Sequence, residues 1–404
     1  MSKRIPKVIV IHPDRQHSLQ TALALQNCGM LYRYFTTVYL KKYSISSLLA
    51  FFSPRSIRKK FLKHKLVGLD DTKIKMYCEI KMLILSFFSR FMSASAIDKW
   101  RRRIIQAFNK KCLQYCMSHQ FDVLISYDTL SGDIFQKLKA NGVKLILDMS
   151  APCFKEMYAN FAADVVRHPN ESQVLIDYLK SEKVAFNLAN CKAELKTYDY
   201  FLAASSYTKD TLIKNGVNPD KIIIAPYGLT QIDETVKTVH DTFNCVFIGS
   251  ITQQKGCHYI FRLASKLPDV NFNLIGAYDN SFDDIPSNCK LLGYLSFDEI
   301  KDILKSTDLC LFLSLADGFG FAATEAMAYG IPVICSKYAG VQDLIVDNGW
   351  IVDSVDIENI AEIIKWCKAN PKELHIRGER AKTVVNNVTW NDYGQVLSDF
   401  IRKI

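Results

Sequence analysis

Long hydrophobic runs are missing from this 404-residue chain. The longest largely apolar stretches, residues 82–88 and 309–313, fall far short of the roughly 18 to 20 residues that a bilayer-crossing helix needs, so the chain is not expected to span a membrane. The opening MSKRIPKVIVIHPDRQ sets basic residues ahead of an apolar stretch, as a signal peptide does, but that stretch is only about five residues long and runs straight into charge. It reads as a first buried strand, and no export is expected. Repeats and low-complexity tracts are absent, and 17 glycines and 11 prolines are too few for a collagenous chain. No CxxC pair occurs among the twelve cysteines, which are scattered through apolar segments, as at Cys245, Cys310 and Cys335. They read as buried thiols of a reducing, cytoplasmic compartment. Cys112 and Cys116 stand four apart with no His or Cys cluster to complete a zinc site.

With 49% of residues hydrophobic and 23% charged, the chain has an ordinary globular composition and enough length for two cores. Its net charge of +10 is unevenly distributed. Residues 1–150 carry 26 Lys and Arg against 9 Asp and Glu, a net of +17, whereas the remainder carries 25 against 32, a net of −7. The two halves are therefore expected to face different partners.

Short β-rich apolar runs alternate with amphipathic helical stretches, the pattern of an α/β protein with parallel sheets wrapped by helices. Strands are expected at 7–11, 34–39, 123–126, 144–148, 200–203 and 221–225, and then at 244–248, 271–275, 309–313 and 332–335. The polar stretch 230–241 is the linker candidate. The expected organisation is a first domain, 1–229, with a mostly helical basic insertion at about 44–111, and a second domain, 242–389. A C-terminal helix, 390–404, has apolar residues at three- and four-residue spacings that would suit packing on either domain.

The most informative segment is SLADGFGFAATEAMAYGIPVICS, residues 314–336. Asp317 follows a buried strand, Gly318, Phe319 and Gly320 form a glycine-flanked loop, and a helix begins at about Phe321 with Glu325 one to two turns in. Glycines let backbone amides approach an anion closely, and the helix N-terminus adds partial positive charge. A carboxylate near that end is suited to two ribose hydroxyls. A helix-start carboxylate that merely complements the dipole is the plainer alternative.

This segment resembles the retaining GT-B glycosyltransferases, specifically glycosyltransferase family four (glycosyl transferases group 1), whose E-x7-E motif lies in a stretch like EGFGxxxxEAMAxGxPVI. Here DGFGFAATEAMAYGIPVI places Glu325 eight positions after Asp317. The resemblance extends through VFIGSITQQKG, AGVQDLIVDNGWIV and YDYFLAASSYTKDTLIKNGVNPDKIIIAPYGL, covering the chain from about residue 194 onward. It implies two Rossmann-like domains facing across a cleft, with a nucleotide-sugar donor held mainly by the second. Matched by position, Lys255 would neutralise the donor diphosphate and Glu325 would bind the ribose. Asp317, with the Gly318, Phe319, Gly320 and Phe321 backbone, would contact donor sugar and phosphate, beside Gly249 and Ser250. No metal or other cofactor is implied, because cationic side chains and helix N-termini stabilise the leaving diphosphate.

Three departures from the family pattern bear on the site. Asp317 is one methylene shorter than the usual glutamate. Ser250 stands where an arginine is usual, and Lys209 or Arg15 from the opposite domain would have to supply the missing cation. The family histidine after the fourth strand is absent from LILDMSAPCF, where Asp148 and Ser150 end the strand and Asp148 is a candidate to face the donor sugar. His12 and His17 follow the first strand, where α/β sheets bind ligands, and read equally as loop residues or functional groups.

In the basic half, FFSPRSIRKKFLKHK and KWRRR interleave cations with aromatic and aliphatic residues, as a surface lying on anionic lipid does. A solvated helical face is the alternative, and no nucleic-acid-binding motif accompanies these segments. The expected function is a peripheral membrane glycosyltransferase acting on a glycan or lipid-linked acceptor in cell-surface polysaccharide or lipopolysaccharide synthesis. A non-catalytic partner subunit and a soluble transferase for small molecules are the competing readings.

Overall fold

Runs of four to six branched and aromatic residues make most of the strands, buried on both faces by the helices that connect them. The computed structural model describes residues 4–14, 16–229, 238 and 241–404. Most of the expected linker, 230–241, and Arg15 lie outside the described residues. Seven parallel strands form the first sheet: β1 (Val8–Ile11), β2 (Leu31–Thr36), β3 (Ile74–Met76), β4 (Val123–Tyr127), β5 (Lys144–Met149), β6 (Tyr200–Ala203) and β7 (Ile222–Ile224), ordered β3-β2-β1-β4-β5-β6-β7. Six more form the second: β8 (Phe243–Ile248), β9 (Val270–Ile275), β10 (Cys289–Gly293), β11 (Leu309–Phe312), β12 (Val333–Ser336) and β13 (Gly349–Val352), ordered β10-β9-β8-β11-β12-β13.

Around the first sheet lie α1 (Ser18–Asn27), α2 (Ile45–Phe52), α3 (Arg55–Leu62), α4 (Glu79–Phe88), α5 (Ala94–Met117), α6 (Phe154–Arg167), α7 (Gln173–Leu179), α8 (Glu182–Thr197) and α9 (Ser206–Lys214). The second sheet carries α10 (Cys257–Lys266), α11 (Phe297–Lys305), α12 (Phe321–Ala328), α13 (Ile357–Ala369) and α14 (Pro371–Asn386), and α15 (Trp390–Lys403) ends the chain. Serine side chains at residues 44, 93, 181, 205 and 296 accept backbone N–H bonds at helix starts, and Thr389 with Asp392 forms a capping box on α15.

Both sheets reverse strand order beside their first strand, between β1 and β4 and between β8 and β11. In such sheets ligands bind outside the carboxyl ends of the strands at that reversal. The segments after β8 and β11 hold Gly249 to Lys255 and Asp317 to Phe321, so the topology brings together motifs about 60 residues apart.

The sequence pattern missed β3, β10 and β13. All three are edge strands with one neighbour, and β10 is only half-buried, so no continuous apolar run announces it. The basic insertion is helical as expected except for β3, which pairs with β2. Strand β2 begins three residues earlier than expected, because Leu31 pairs with Val8 and draws Tyr32 and Arg33 into the ladder.

The terminal helix α15 packs on the first domain. Tyr393, Leu397 and Ile401 are buried in the same apolar cluster as Val8, Val10, Leu25 and Tyr127, and the Tyr393 hydroxyl bonds Thr21 of α1 at 2.9 Å. A second junction joins α6 and α7 to the other sheet, with Phe161 and Leu175 entering the core around β8 and α10. The fully buried Asp164 of α6 there accepts from Gln253 Nε2 at 2.7 Å and from the Tyr259 hydroxyl, and lies 3.1 Å from His258 Nε2.

Candidate active site

The loop from Asp317 to Gly320 is pinned from both sides. A Cβ on Gly318 would come within 2.7 Å of the Ser150 carbonyl oxygen, so only glycine lets this loop lie against the end of β5. The Gly318 carbonyl accepts from the Ser205 hydroxyl of the first domain at 2.8 Å. Gly320 has φ +89° and leads into α12 with no side chain capping its first amides. Those N–H groups remain donors for an anion. Phe319 is buried in the first domain's cluster, and Phe321 lies parallel to Tyr227 at 5.7 Å. Aromatic packing therefore crosses from one domain to the other at the start of α12.

Lys255 and Asp317, assigned separate roles from the sequence, meet as an ion pair, with Lys255 Nζ 2.7 Å from Asp317 Oδ2. The other Asp317 oxygen accepts from the Phe319 amide at 3.2 Å. Gly249, φ +151°, closes β8 by bonding the Ile275 carbonyl, and the adjacent Ser250 is exposed. Lys209 stands in the first turn of α9, partly buried and without an ion pair among the described residues.

Beside this loop opens a cavity of about 760 Å³ between the domains. Glu325, Phe321 and Thr324 of α12 line one wall, with Phe297, Ile300 and Lys301 of α11 next to them. Across from them are Gln16 and His17, Lys63 and Lys65 just after α3, and Trp390. The Glu325 carboxyl has no hydrogen-bond partner among the described residues, and the protein around it raises its pKa by desolvation.

Asp148 does not face the cleft. It is 1% exposed and holds the Tyr227 hydroxyl at 2.9 Å, His17 Nε2 at 3.2 Å and the Tyr393 hydroxyl at 3.4 Å. Its carboxylate is turned inward by these donors, and His17 is the member of the group that reaches the cavity lining. Ser150 bonds Asp128 through both its amide and its hydroxyl, and burial pushes the Asp128 carboxyl up to about 6.

Tyr227, Trp390 and the Lys63 and Lys65 pair were not singled out as site residues, although Tyr227 lies in the segment ending APYGL and the lysines in FFSPRSIRKKFLKHK. They reach the site from chain segments that only the folded topology brings near. Of side-chain groups with metal-binding chemistry, Asp164, His168 and His258 lie together. The Arg262 guanidinium bonds His168 Nδ1 at 2.9 Å, and Asp164 is already engaged by Gln253 and Tyr259, so the cluster serves the domain junction.

Residues 230–384 match the family model described as glycosyl transferases group 1. An uncharacterized 41.2 kDa protein in the cps region of Klebsiella pneumoniae is 26% identical over 272 residues, which is 63% of this chain and 70% of that protein. The amylovoran biosynthesis glycosyltransferase AmsK of Erwinia amylovora is 25% identical over 189 residues, 41% of this chain and 46% of its own length. Among solved structures, HepE from Anabaena in complex with UDP superposes with a TM-score of 0.62 at 12% identity, covering 98% of this chain and 100% of that one. Residues 230–384 thus resemble the glycosyl transferases group 1, and the chain as a whole has the two facing parallel sheets of the GT-B fold.

Proposed function

We propose that this glycosyltransferase is a retaining, metal-independent enzyme that moves a sugar from a nucleotide-sugar donor to a glycan or lipid-linked acceptor in cell-surface polysaccharide synthesis. The observation that carries the reading is the succession, along the loop and helix that follow β11 at the strand-order reversal of the second sheet, of three groups suited to a nucleoside diphosphate. These are the Lys255 ammonium held on Asp317, the uncapped amides of α12 and the unpaired Glu325 carboxylate. The relatives in polysaccharide biosynthesis and the UDP-bound structural neighbour support the same direction.

In this reading Glu325 accepts hydrogen bonds from the two ribose hydroxyls, and the diphosphate lies against the α12 amides. Lys255 exchanges part of its contact with Asp317 for a phosphate oxygen, which frees Asp317 to take a donor-sugar hydroxyl. The bond from the anomeric carbon to the phosphate oxygen breaks while the acceptor oxygen bonds that carbon from the same face. The acceptor proton passes to the departing phosphate oxygen, whose developing charge Lys255 and the amides stabilise.

The basic insertion presents the acceptor-facing domain to an anionic membrane. Phe51 and Phe52 of α2 are 71% and 76% exposed, and Phe87, Phe88 and Phe91 near α4 are exposed as well. Arg55, Arg58 and Lys59 stand on the adjoining α3. Apolar side chains beside cations suit the boundary between headgroups and acyl chains. No described helix is long and apolar enough to cross a membrane.

Release of nucleoside diphosphate from a panel of nucleotide sugars, with and without membranes carrying acceptor, tests the whole reading. Turnover that requires acceptor membranes is expected. No release from any donor would point to a non-catalytic GT-B protein, and release with a water-soluble acceptor would move the acceptor off the membrane.

A further inference from the structure

The first domain places on the cavity wall an imidazole, His17, backed by the buried carboxylate of Asp148, that neither the α12 loop nor Glu325 accounts for. His17 immediately precedes α1, at the strand-order reversal of the first sheet, with its side chain free of any capping bond, and its Nε2 meets Asp148 Oδ2 at 3.2 Å. Two tyrosine hydroxyls, those of Tyr227 and Tyr393, converge on the same carboxylate. An ionised carboxylate only accepts, so Nε2 carries the proton of this bond and Nδ1 is left as the ring's remaining polar atom. Nδ1 has no hydrogen-bond partner among the described residues, and the side chain, 6% exposed, is part of the cavity lining.

The ring is also held in orientation. It packs on Tyr227 with centroids 4.0 Å apart and meets Tyr127 edge-on at 5.2 Å. Tyr227 in turn lies parallel to Phe321, the first residue of α12. One aromatic ring therefore separates His17 from the helix start whose amides are uncapped.

Resting on the nucleotide-sugar reading above, we propose that His17 is a substrate-contacting residue that donates a hydrogen bond from Nδ1 to the donor diphosphate, opposite the α12 amides, with Asp148 as its positioning residue. Because Asp148 already occupies Nε2–H, a phosphate oxygen on Nδ1 requires a second ring proton, which is taken from solvent as the diphosphate binds. The ionisable groups around the ring are His12 and Asp14 from its own loop, Tyr127 of β4, Asp148 of β5, Tyr227, and Tyr393 of α15. Across or along the cavity are Glu325, Lys301, Lys63 and Lys65. Of these, Asp148 is the charged group in hydrogen-bond contact with it.

The test compares nucleoside diphosphates with their monophosphates, using the UDP and UMP, GDP and GMP, and ADP and AMP pairs, by calorimetry on the full chain. Wild-type protein is expected to bind the diphosphate of one pair more tightly. His17→Ala should weaken that diphosphate about tenfold or more, the size of a charge-assisted hydrogen bond, and leave the monophosphate within about twofold. His17→Gln, whose amide can still donate, should recover part of the loss. Repeating the titrations in buffers of different ionisation enthalpy should reveal proton uptake with the diphosphate in wild type and none in His17→Gln. Monophosphate binding reports that each variant is folded. A variant that keeps the full diphosphate preference, or binding without proton uptake in wild type, overturns the role of His17. Absence of any diphosphate preference in wild type would instead overturn the nucleotide-sugar reading itself.

Discussion

At the scale of single residues, the site is defined by which charges are already matched. Glu325 is unmatched, so Glu325→Ala should cost about 2 to 3 kcal/mol of nucleotide affinity, roughly 30- to 150-fold, measured by calorimetry. Its raised pKa gives the pH dependence a definite sign. Only the ionised carboxylate accepts from both ribose hydroxyls, so affinity should fall as pH drops through that raised value, beginning at a higher pH than an ordinary glutamate would dictate. Asp317 is matched by Lys255 and touches no part of the nucleotide in the proposed complex. Asp317→Asn should therefore lower kcat far more than nucleotide affinity, and equal losses would remove its assignment to the sugar. His12 illustrates a different cost. It is buried, and desolvation lowers its pKa from 6.5 to about 4, so the unfolded chain binds this proton first as pH falls. Stability is thus complete above about pH 6.5 and declines toward pH 4, by about 3 kcal/mol when integrated. Denaturant midpoints followed across that window should flatten in His12→Asn.

Among the elements, the insertion helices carry the plainest consequence. Reversing Arg55, Arg58 and Lys59 of α3 to Glu should release the protein from anionic vesicles, with each cation worth about 1 kcal/mol at the surface. Because the attraction is screened over about 8 Å at physiological salt, wild-type binding should weaken as salt rises and leave the apolar share from α2 and α4. Co-sedimentation that is equal on neutral and anionic vesicles would sink the membrane reading. The interior strands were legible in sequence because burial on both faces demands continuous apolar runs, as in β1, β8 and β11. Three of the four edge strands, β3, β10 and β13, were not, because a strand with one neighbour tolerates Lys75, Lys290 and a leading Gly349, whereas the fourth, β7, kept the apolar run Ile222–Ile224. Helix α12 was legible for a chemical reason, since its Gly318 and Gly320 are dictated by contact with Ser150 and by positive φ.

For the whole molecule, α15 ties the end of the chain to its beginning. Tyr393 is fully buried between α1 and β4 and bonds both Thr21 and Asp148. Tyr393→Ala should cost about 3 to 5 kcal/mol, the range for emptying a large aromatic site, and shift the unfolding midpoint accordingly. The two parallel sheets, the uneven charge and the α12 segment are written locally in the chain, as alternating apolar runs, net charge and a glycine-flanked helix start. Folding in three dimensions is what pairs Lys255 with Asp317, packs α15 on α1, and turns Asp148 away from the cleft to hold His17. Each of these joins groups more than 50 positions apart, and their partners are selected by where the strand-order reversals bring loop ends together.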